Sequence, residues 1–141
     1  MKPLVVIPCG AAKREYPCQA HEMYVGNYFK ACLRWALRVT TPERVLILSA
    51  KYGLLPVDKV IAPYDVTFDD ADCISKAEVR QQATAMGLLS ESSVQVAAGK
   101  RYVDVTLAVW PHAVNVVDGR GRMGSQIKWL MNETKRLEAA Q

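Results

Sequence analysis

The sequence predicts a single α/β domain over residues 1–141, in which helices flank a mostly parallel four-stranded sheet. Short apolar runs alternate with longer segments of helical periodicity, giving the order β-α-β-α-β-α-β-α. The first two runs are apolar throughout, as in strands that a parallel sheet buries on both faces. Such an order implies right-handed crossovers, and 141 residues are enough for one domain with a buried core.

The first half of the chain contributes two strands and one helix. Residues 3–8 are the first strand and residues 44–48 the second, because both are short and continuously apolar. Between them, residues 21–38 carry apolar side chains near helical spacing and predict one amphipathic helix. Residues 62–71 are rich in residues that turn or cap, so they predict a long loop.

The second half contributes two weaker strands and three helices. Ser75 and Glu78 have capping-box spacing, which predicts a helix that begins after Ser75. Residues 93–99 predict the third strand. Three β-branched valines leave residues 100–110 open between helix and strand, and a helix is favoured because the apolar residues would share one face. The remaining elements are a short strand at residues 113–117 and a final helix at residues 123–137.

Composition and charge limit the class of protein. No apolar run approaches the roughly 20 residues that span a bilayer, and no signal-peptide pattern follows the first methionine, so we expect a cytoplasmic protein without a membrane partner. The net charge of +4 permits anionic ligands without requiring nucleic acid. The four cysteines lack Cys-x-x-Cys spacing and there are only two histidines, so we expect neither disulfides, nor a metal, nor another cofactor.

Two loops that follow buried strands combine small residues with reactive ones. Cys9-Gly10-Ala11-Ala12-Lys13 follows the first strand, and Ser49-Ala50-Lys51-Tyr52-Gly53 follows the second. Ligands of open α/β sheets bind in the crevice at the carboxyl ends of the strands. We therefore expect the two loops to form one site, in which glycine lets backbone amides approach an anion and Gly53 supplies a positive φ.

Candidate catalytic roles follow from residue type. Cys9 near Lys13 is a candidate nucleophile or acid. Lys13 and Lys51 would neutralise charge, and Asp65 would act as a base. His21 precedes the predicted helix and is a second candidate base, although most histidines in such positions face solvent. If the ligand is a nucleobase, the residues that would stack on it are Tyr24, Phe29 and Tyr52.

The loop Asp118-Gly119-Arg120-Gly121-Arg122 joins the fourth strand to the last helix. Glycine-rich turns of this kind hold phosphates on the amides of the helix N-terminus, and Arg120 and Arg122 would add bidentate donors. The spacing matches neither a Walker loop nor a dinucleotide fingerprint. A flexible surface turn is the alternative.

Three segments of the sequence resemble the YaaA-like superfamily, which comprises the peroxide-stress proteins and their short phage and bacterial relatives. The segments are Tyr24-x-Gly26-x-x-Phe29, residues 48–55 (Leu-Ser-Ala-Lys-Tyr-Gly-Leu-Leu) and Pro63-Tyr64-Asp65. The resemblance covers about residues 5–68 and implies an α/β fold with a central cleft. It adds Gly26, Ser49 and Tyr64 to the candidate ligand-binding residues. For the peroxide-stress proteins it also implies DNA binding through a helix-hairpin-helix, for which residues 86–90 are the candidate here.

The first loop also resembles a motif of the archaeosine synthases, which modify a deazaguanine base in transfer RNA. The matching residues are Pro8, Cys9, Lys13, Tyr16 and His21, whereas Arg14-Glu15 and Ala20 depart from the motif. This resemblance implies a shared pocket rather than the same reaction.

Taken together, these features favour a protein that handles a nucleobase or nucleoside. We expect an enzyme of transferase or glycosidase type that acts at or near the base or the glycosidic bond of a nucleotide or nucleic acid. One alternative is a non-catalytic DNA- or RNA-binding module linked to stress or phage biology, whose basic loops would contact the nucleic-acid backbone. A second alternative is a regulatory domain that senses a nucleotide. The expected partner is a nucleobase, a nucleotide or a nucleic acid.

Overall fold

Strands and helices alternate along the computed structural model, which describes residues 2–141. In chain order the elements are β1 (Leu4–Pro8), β2 (Cys18–Gln19), α1 (Ala20–Met23), α2 (Asn27–Val39), β3 (Val45–Ser49), β4 (Gly53–Pro56), β5 (Val60–Ile61), α3 (Lys76–Ala85), β6 (Val94–Val96), α4 (Lys100–Val109), β7 (Val114–Asn115) and α5 (Met123–Ala139). A single 3₁₀ turn at Pro42–Arg44 leads into β3. None of the helices in residues 2–141 has the length and apolar character needed to cross a bilayer.

The main sheet has five strands in the order β4-β3-β1-β6-β7. Four of them are parallel, with Val6 of β1 paired to Leu46 on one side and to Val96 on the other. Every residue of β1 and β3 is buried, as their continuous apolar character predicts. The α/β class and the mostly parallel sheet are therefore confirmed.

Helices cover both faces of this sheet. Val5 and Ile7 of β1 point into a core with Trp35 of α2 and Leu130 of α5. The alternate residues, Leu4 and Val6, belong to a second core on the opposite face, which α3 and α4 cover. The site described below lies at one end of this three-layer arrangement.

The predicted strand number of four is corrected to five, because β4 pairs antiparallel with β3. Gly53 turns the chain at φ +76°, a backbone conformation that favours glycine. The Gln82 side chain then accepts from the Leu54 N–H at 2.8 Å and donates to the Tyr52 carbonyl at 2.9 Å. The turn was predicted from Gly53, but the pairing that follows depends on a glutamine from α3.

The helix predicted at residues 21–38 is also corrected, because it is interrupted. The chain leaves α1 at Tyr24 in an extended conformation and starts α2 only after Gly26. Tyr24 bridges instead to Lys13 in the first loop. Residues 86–90 connect α3 to strand β6, so they do not join two helices as a helix-hairpin-helix requires.

The other predicted helices are confirmed. Ser75 and Glu78 form both hydrogen bonds of a capping box at the start of α3. Residues 100–109 form α4 rather than a strand. The small antiparallel pair of β2 with β5 was not predicted, because each strand has only two residues.

Candidate functional site

The order of the parallel strands creates a crevice beside β1. The chain passes from β1 to β3 through α2 on one face, then crosses to β6 and continues to β7 through α4 on the other face. The connections that leave β1 and β6 therefore diverge, and ligands of open α/β sheets bind at such switch points. Cys9 follows β1 there, and Gly99 precedes α4.

A cavity of about 540 Å³ lies at this switch point. Its wall is mostly apolar and aromatic, with one thiol and two side-chain amides, which is the usual character of a small-molecule site. The lining residues are Pro8, Cys9, Gly10, Ala11, Ala12, Gly26, Asn27, Tyr28, Phe29, Gly99, Tyr102, Met123 and Gln126.

Three helices begin at this cavity. Gly26 precedes α2, Gly99 precedes α4 and Arg122 precedes α5, and no described side chain caps any of the three N-termini. Gly26, Gly99 and Met123 all line the cavity. The first amides of a helix lack intrahelical acceptors and carry the positive end of its dipole. The convergence of three such ends favours an anionic group.

Cys9 lies in the cavity wall with a phenol beside it. Its backbone N–H donates to the Leu48 carbonyl at 3.1 Å, which fixes it at the end of β1. Its Sγ lies 3.3 Å from the Tyr102 hydroxyl in the first turn of α4. Burial, followed by the nearby thiol, raises the pKa of Tyr102 well above its usual range. The phenol is thus protonated at neutral pH and can donate a hydrogen bond to sulfur.

A hydrogen-bonded chain of hydroxyls lies behind the cavity. Ser49 Oγ accepts from the N–H groups of Lys51 and Tyr52 at 3.2 and 3.0 Å. It donates to the Tyr64 hydroxyl at 2.7 Å, which lies 2.6 Å from the hydroxyl of Tyr24. Burial raises the pKa of both phenols. This chain ties the loops after β1 and β3 together, but none of its side chains lines the cavity.

The predicted site residues divide into those in the cavity wall and those outside it. Cys9, Gly10, Gly26 and Phe29 line the cavity. Tyr24 lies directly behind this wall, since its ring centroid is 5.1 Å from that of Phe29. The structure therefore brings the loop after β1 and the start of α2 together at one hollow.

The two candidate lysines pack on tyrosine rings. Lys13 Nζ is 4.5 Å from the ring centroid of Tyr64, and Lys51 Nζ is 5.3 Å from that of Tyr52. Tyr52 donates its hydroxyl to the Ala62 carbonyl at 3.2 Å and packs edge-on against Tyr64. These residues, with Gly53 in the turn, support the hydroxyl chain and lie outside the cavity lining.

The two candidate bases are not brought to the cavity. His21 Nε2 lies 2.8 Å from Gln19 Oε1 and close to the Glu22 carboxylate in α1. Asp65 is exposed, and no residue in the described part of the chain forms an ion pair or side-chain hydrogen bond with it.

The arginines of the loop before α5 also lie outside the cavity wall. Arg120 stacks its guanidinium 4.0 Å from the Trp129 ring centroid and donates from Nε to the Val116 carbonyl at 2.8 Å. Asp118 and Arg122 are exposed. The first turn of α5, which follows this loop, contributes Met123 and Gln126 to the cavity wall. Among residues 2–141, no group of three or more His, Cys, Asp or Glu side chains is placed to hold a metal ion.

One known family of proteins matches nearly the whole chain. The model of a family of unknown function (DUF6884) matches residues 4–132. The chain belongs to this family. The matched range begins at β1 and extends into α5, so it contains every residue that lines the cavity. No curated protein and no solved structure matches the chain.

Six lining residues were not singled out from the sequence: Asn27, Tyr28, Gly99, Tyr102, Met123 and Gln126. The sequence carries a signal for Gly99, because this glycine lies between the third strand and a helix, as the glycines of phosphate-binding turns do. No local pattern indicates the contact between the Tyr28 hydroxyl and Gln126, which are 98 residues apart.

Proposed function

We propose that this protein binds a nucleoside or nucleotide in the switch-point cavity and acts at or near its base or glycosidic bond. One observation carries the proposal: the aromatic cavity beside Cys9 is also the place where three helix N-termini converge. A nucleotide needs both environments, because its base is flat and apolar on its faces while its phosphate is anionic.

The base would lie against the aromatic wall. Tyr28 and Tyr102 are half-buried and supply apolar ring surface on which a base can stack, whereas Phe29 is only 2% exposed and closes the wall. The amide of Asn27 lies in the same wall and offers both a donor and an acceptor for a base edge. The Gln126 amide accepts from the Tyr28 hydroxyl and donates to the Gly121 carbonyl, which fixes it in the wall. The likeness of the first loop to the archaeosine synthase motif supports a base in this position.

The phosphate would lie at the helix N-termini. No lysine or arginine side chain is among the described lining residues, so backbone amides would supply the positive field. Gly26 and Gly99 leave room for this approach, because a Cβ at either position would meet no atom within 4 Å.

Cys9 is the nucleophilic side chain of the cavity wall. The hydroxyl of Tyr102, held protonated by burial, can stabilise a thiolate or donate to a leaving group. Since Asp65 and His21 lie elsewhere, a reaction in this cavity would depend on the thiol and the phenol.

A nucleotide-sensing domain without catalysis is the second candidate. It is favoured by one feature of the described lining, which contains neither a carboxylate nor an imidazole to act as a base at neutral pH. In that case the ligand would bind in the same place and remain unchanged.

A charge at position 99 tests the proposal. Gly99 has φ −72° and ψ 170°, so Gly99→Asp and Gly99→Asn both fit this N-cap position. The matched pair differs only in charge. Binding of the four nucleoside monophosphates and their nucleosides is measured by calorimetry, and folding is checked by the melting temperature.

We expect both variants to melt at or slightly above the temperature of the wild type. Gly99→Asp should weaken monophosphate binding at least tenfold more than Gly99→Asn, because its carboxylate repels the phosphate. Nucleoside affinities should differ little between the two. Equal losses in the pair would contradict the phosphate position, and binding of none of the eight compounds to the wild type would contradict the proposed function.

A further inference from the structure

A second hollow, of about 560 Å³, lies between α2 and α5. It adjoins the cavity, because Asn27 lines both and Ile127 of the hollow follows Gln126 of the cavity. Three of its lining residues are cationic, Lys30 and Arg34 on α2 and Lys135 on α5, and one, Glu138 on α5, is anionic. We call this hollow the α2–α5 groove.

The net positive charge of these two helices equals that of the whole chain. Together α2 and α5 carry six lysine or arginine residues and two glutamates, a net charge equal to the +4 of the whole sequence. Both glutamates are neutralised locally, Glu138 by Arg38 at 3.6 Å and Glu133 by Arg136. The three groove cations, by contrast, form no ion pair with any residue from 2 to 141.

The floor of the groove is apolar. Ala31, Ile127 and Met131 line it between the cations, and Met131 is 46% exposed. A ligand that fits would present anionic groups to the rim and flat or apolar groups to the floor. Single-stranded nucleic acids have this character, since their phosphates pair with cations while the faces of their sugars and bases are apolar.

The groove is long enough for a short strand. Asn27 and Arg34 are seven residues apart, so about 10 Å separates them along the helix axis. A strand whose bases stay stacked, with the spacing of about 3.4 Å found along one strand of a duplex, places roughly three nucleotides over this length. A strand that leaves the cavity at Asn27 would therefore pass all three cations.

We propose that the α2–α5 groove binds the sugar-phosphate backbone of a single-stranded polynucleotide, one nucleotide of which occupies the switch-point cavity. This inference rests on the proposed function, because it takes the cavity to be the nucleotide site. It deepens that function by assigning a polymer, rather than a free nucleotide, as the ligand.

The test removes the groove cations and varies ligand length. Lys30→Ala/Arg34→Ala/Lys135→Ala is compared with the control Lys59→Ala/Lys76→Ala/Arg80→Ala, which removes three exposed cations elsewhere. The probes are fluorescein-labelled oligothymidylates and oligouridylates of one to eight nucleotides. Anisotropy titrations are made at several salt concentrations, with a polyglutamate peptide as a competing polyanion.

For the wild type we expect affinity to rise with length to about four nucleotides and then to level off. The groove variant should bind the six-nucleotide probes at least tenfold more weakly and leave mononucleotide binding unchanged. Its slope of log affinity against log salt should fall by about 2, since each lost phosphate contact on a single strand removes about 0.7. The control variant should keep both the affinity and the length dependence.

Four results would overturn the inference. They are the same affinity at every length, an equal loss in the control variant, no loss in the groove variant, and competition by polyglutamate as strong as that by an unlabelled oligonucleotide. Failure of the proposed function is distinguishable. In that case the six-nucleotide probes would still bind through the groove, while Gly99→Asp would have no effect and no mononucleotide would bind.

Discussion

At the level of single residues, Cys9 differs from the other three cysteines in its surroundings. It is half-buried and lines the cavity. Cys32 is fully buried in the core, where its thiol donates to the Ala97 carbonyl at 3.6 Å and burial raises its pKa. Cys18 and Cys73 are half-buried and lie outside the cavity lining. Alkylation of Cys9 therefore reports on whether the cavity is occupied, whereas alkylation of the other cysteines does not.

Ligand protection of Cys9 is the corresponding prediction. We expect iodoacetamide to modify Cys9 in the native protein, and a nucleotide that binds the cavity to slow this modification at least tenfold. Peptide mass spectrometry measures the rate at each cysteine. Labelling at Cys18 and Cys73 serves as the internal control and should not change, whereas Cys32 should react only after unfolding. Equal protection at all positions would indicate general stabilisation rather than occupancy of the cavity.

At the level of elements, the turn from β3 to β4 depends on a glycine with little room. A Cβ on Gly53 would lie 2.1 Å from Gln82 Oε1 and 2.7 Å from Ile74 Cδ1. Gln82 cannot yield freely, because both atoms of its amide are hydrogen-bonded to the turn. Gly87 has a similar φ of +72°, but a Cβ there would meet nothing within 4 Å.

Alanine substitutions at Gly53 and Gly87 separate the cost of backbone strain from the cost of steric crowding. We expect Gly87→Ala to lower the free energy of unfolding by about 1 kcal/mol, the cost of positive φ alone. Gly53→Ala should lower it by about 2–4 kcal/mol, because it also displaces Gln82 and frees two backbone groups. Urea unfolding measures both. Equal effects would show that Gln82 moves aside without losing its hydrogen bonds.

At the level of the whole molecule, buried phenols join the loops around the sheet edge. Burial raises the pKa values of Tyr24, Tyr28, Tyr64 and Tyr102 above the ordinary value of about 10. Above about pH 10 the unfolded chain releases these protons while the folded state keeps them. Their stabilising contribution is therefore complete below pH 10 and is lost as the pH rises further.

Alkaline unfolding tests this linkage. The buried phenol of Tyr24 should lower the free energy of unfolding by at most about 1.4 kcal/mol per pH unit above pH 10. Tyr24→Phe keeps the ring and should make this fall less steep, at a cost of about 1 kcal/mol near pH 8 for the lost hydrogen bond. Urea titrations from pH 8 to 11 measure the slope. The same slope in both proteins would contradict the role of Tyr24.

Much of the fold could be predicted from local patterns. The apolar runs at β1 and β3, the capping box at Ser75 and the glycine at 53 each report a requirement of their own segment. The loop after β1 was predicted to line a site for the same reason, and it lines the cavity. The two-residue strands and the break between α1 and α2 were not predicted, because they depend on pairing with other segments of the chain. Strand β2 pairs with β5, and Tyr24 pairs with Lys13.

The sequence by itself determined the α/β class, the parallel strands and Cys9 at a strand end, because periodicity and burial of each segment are local properties. Only the tertiary structure decided which residues share the cavity. Strand order places β6 rather than β3 at the switch point, so Tyr102 and Gly99 meet Cys9, while Asp65 and His21 do not. Strand order arises from packing across the whole sheet, and no single segment encodes it.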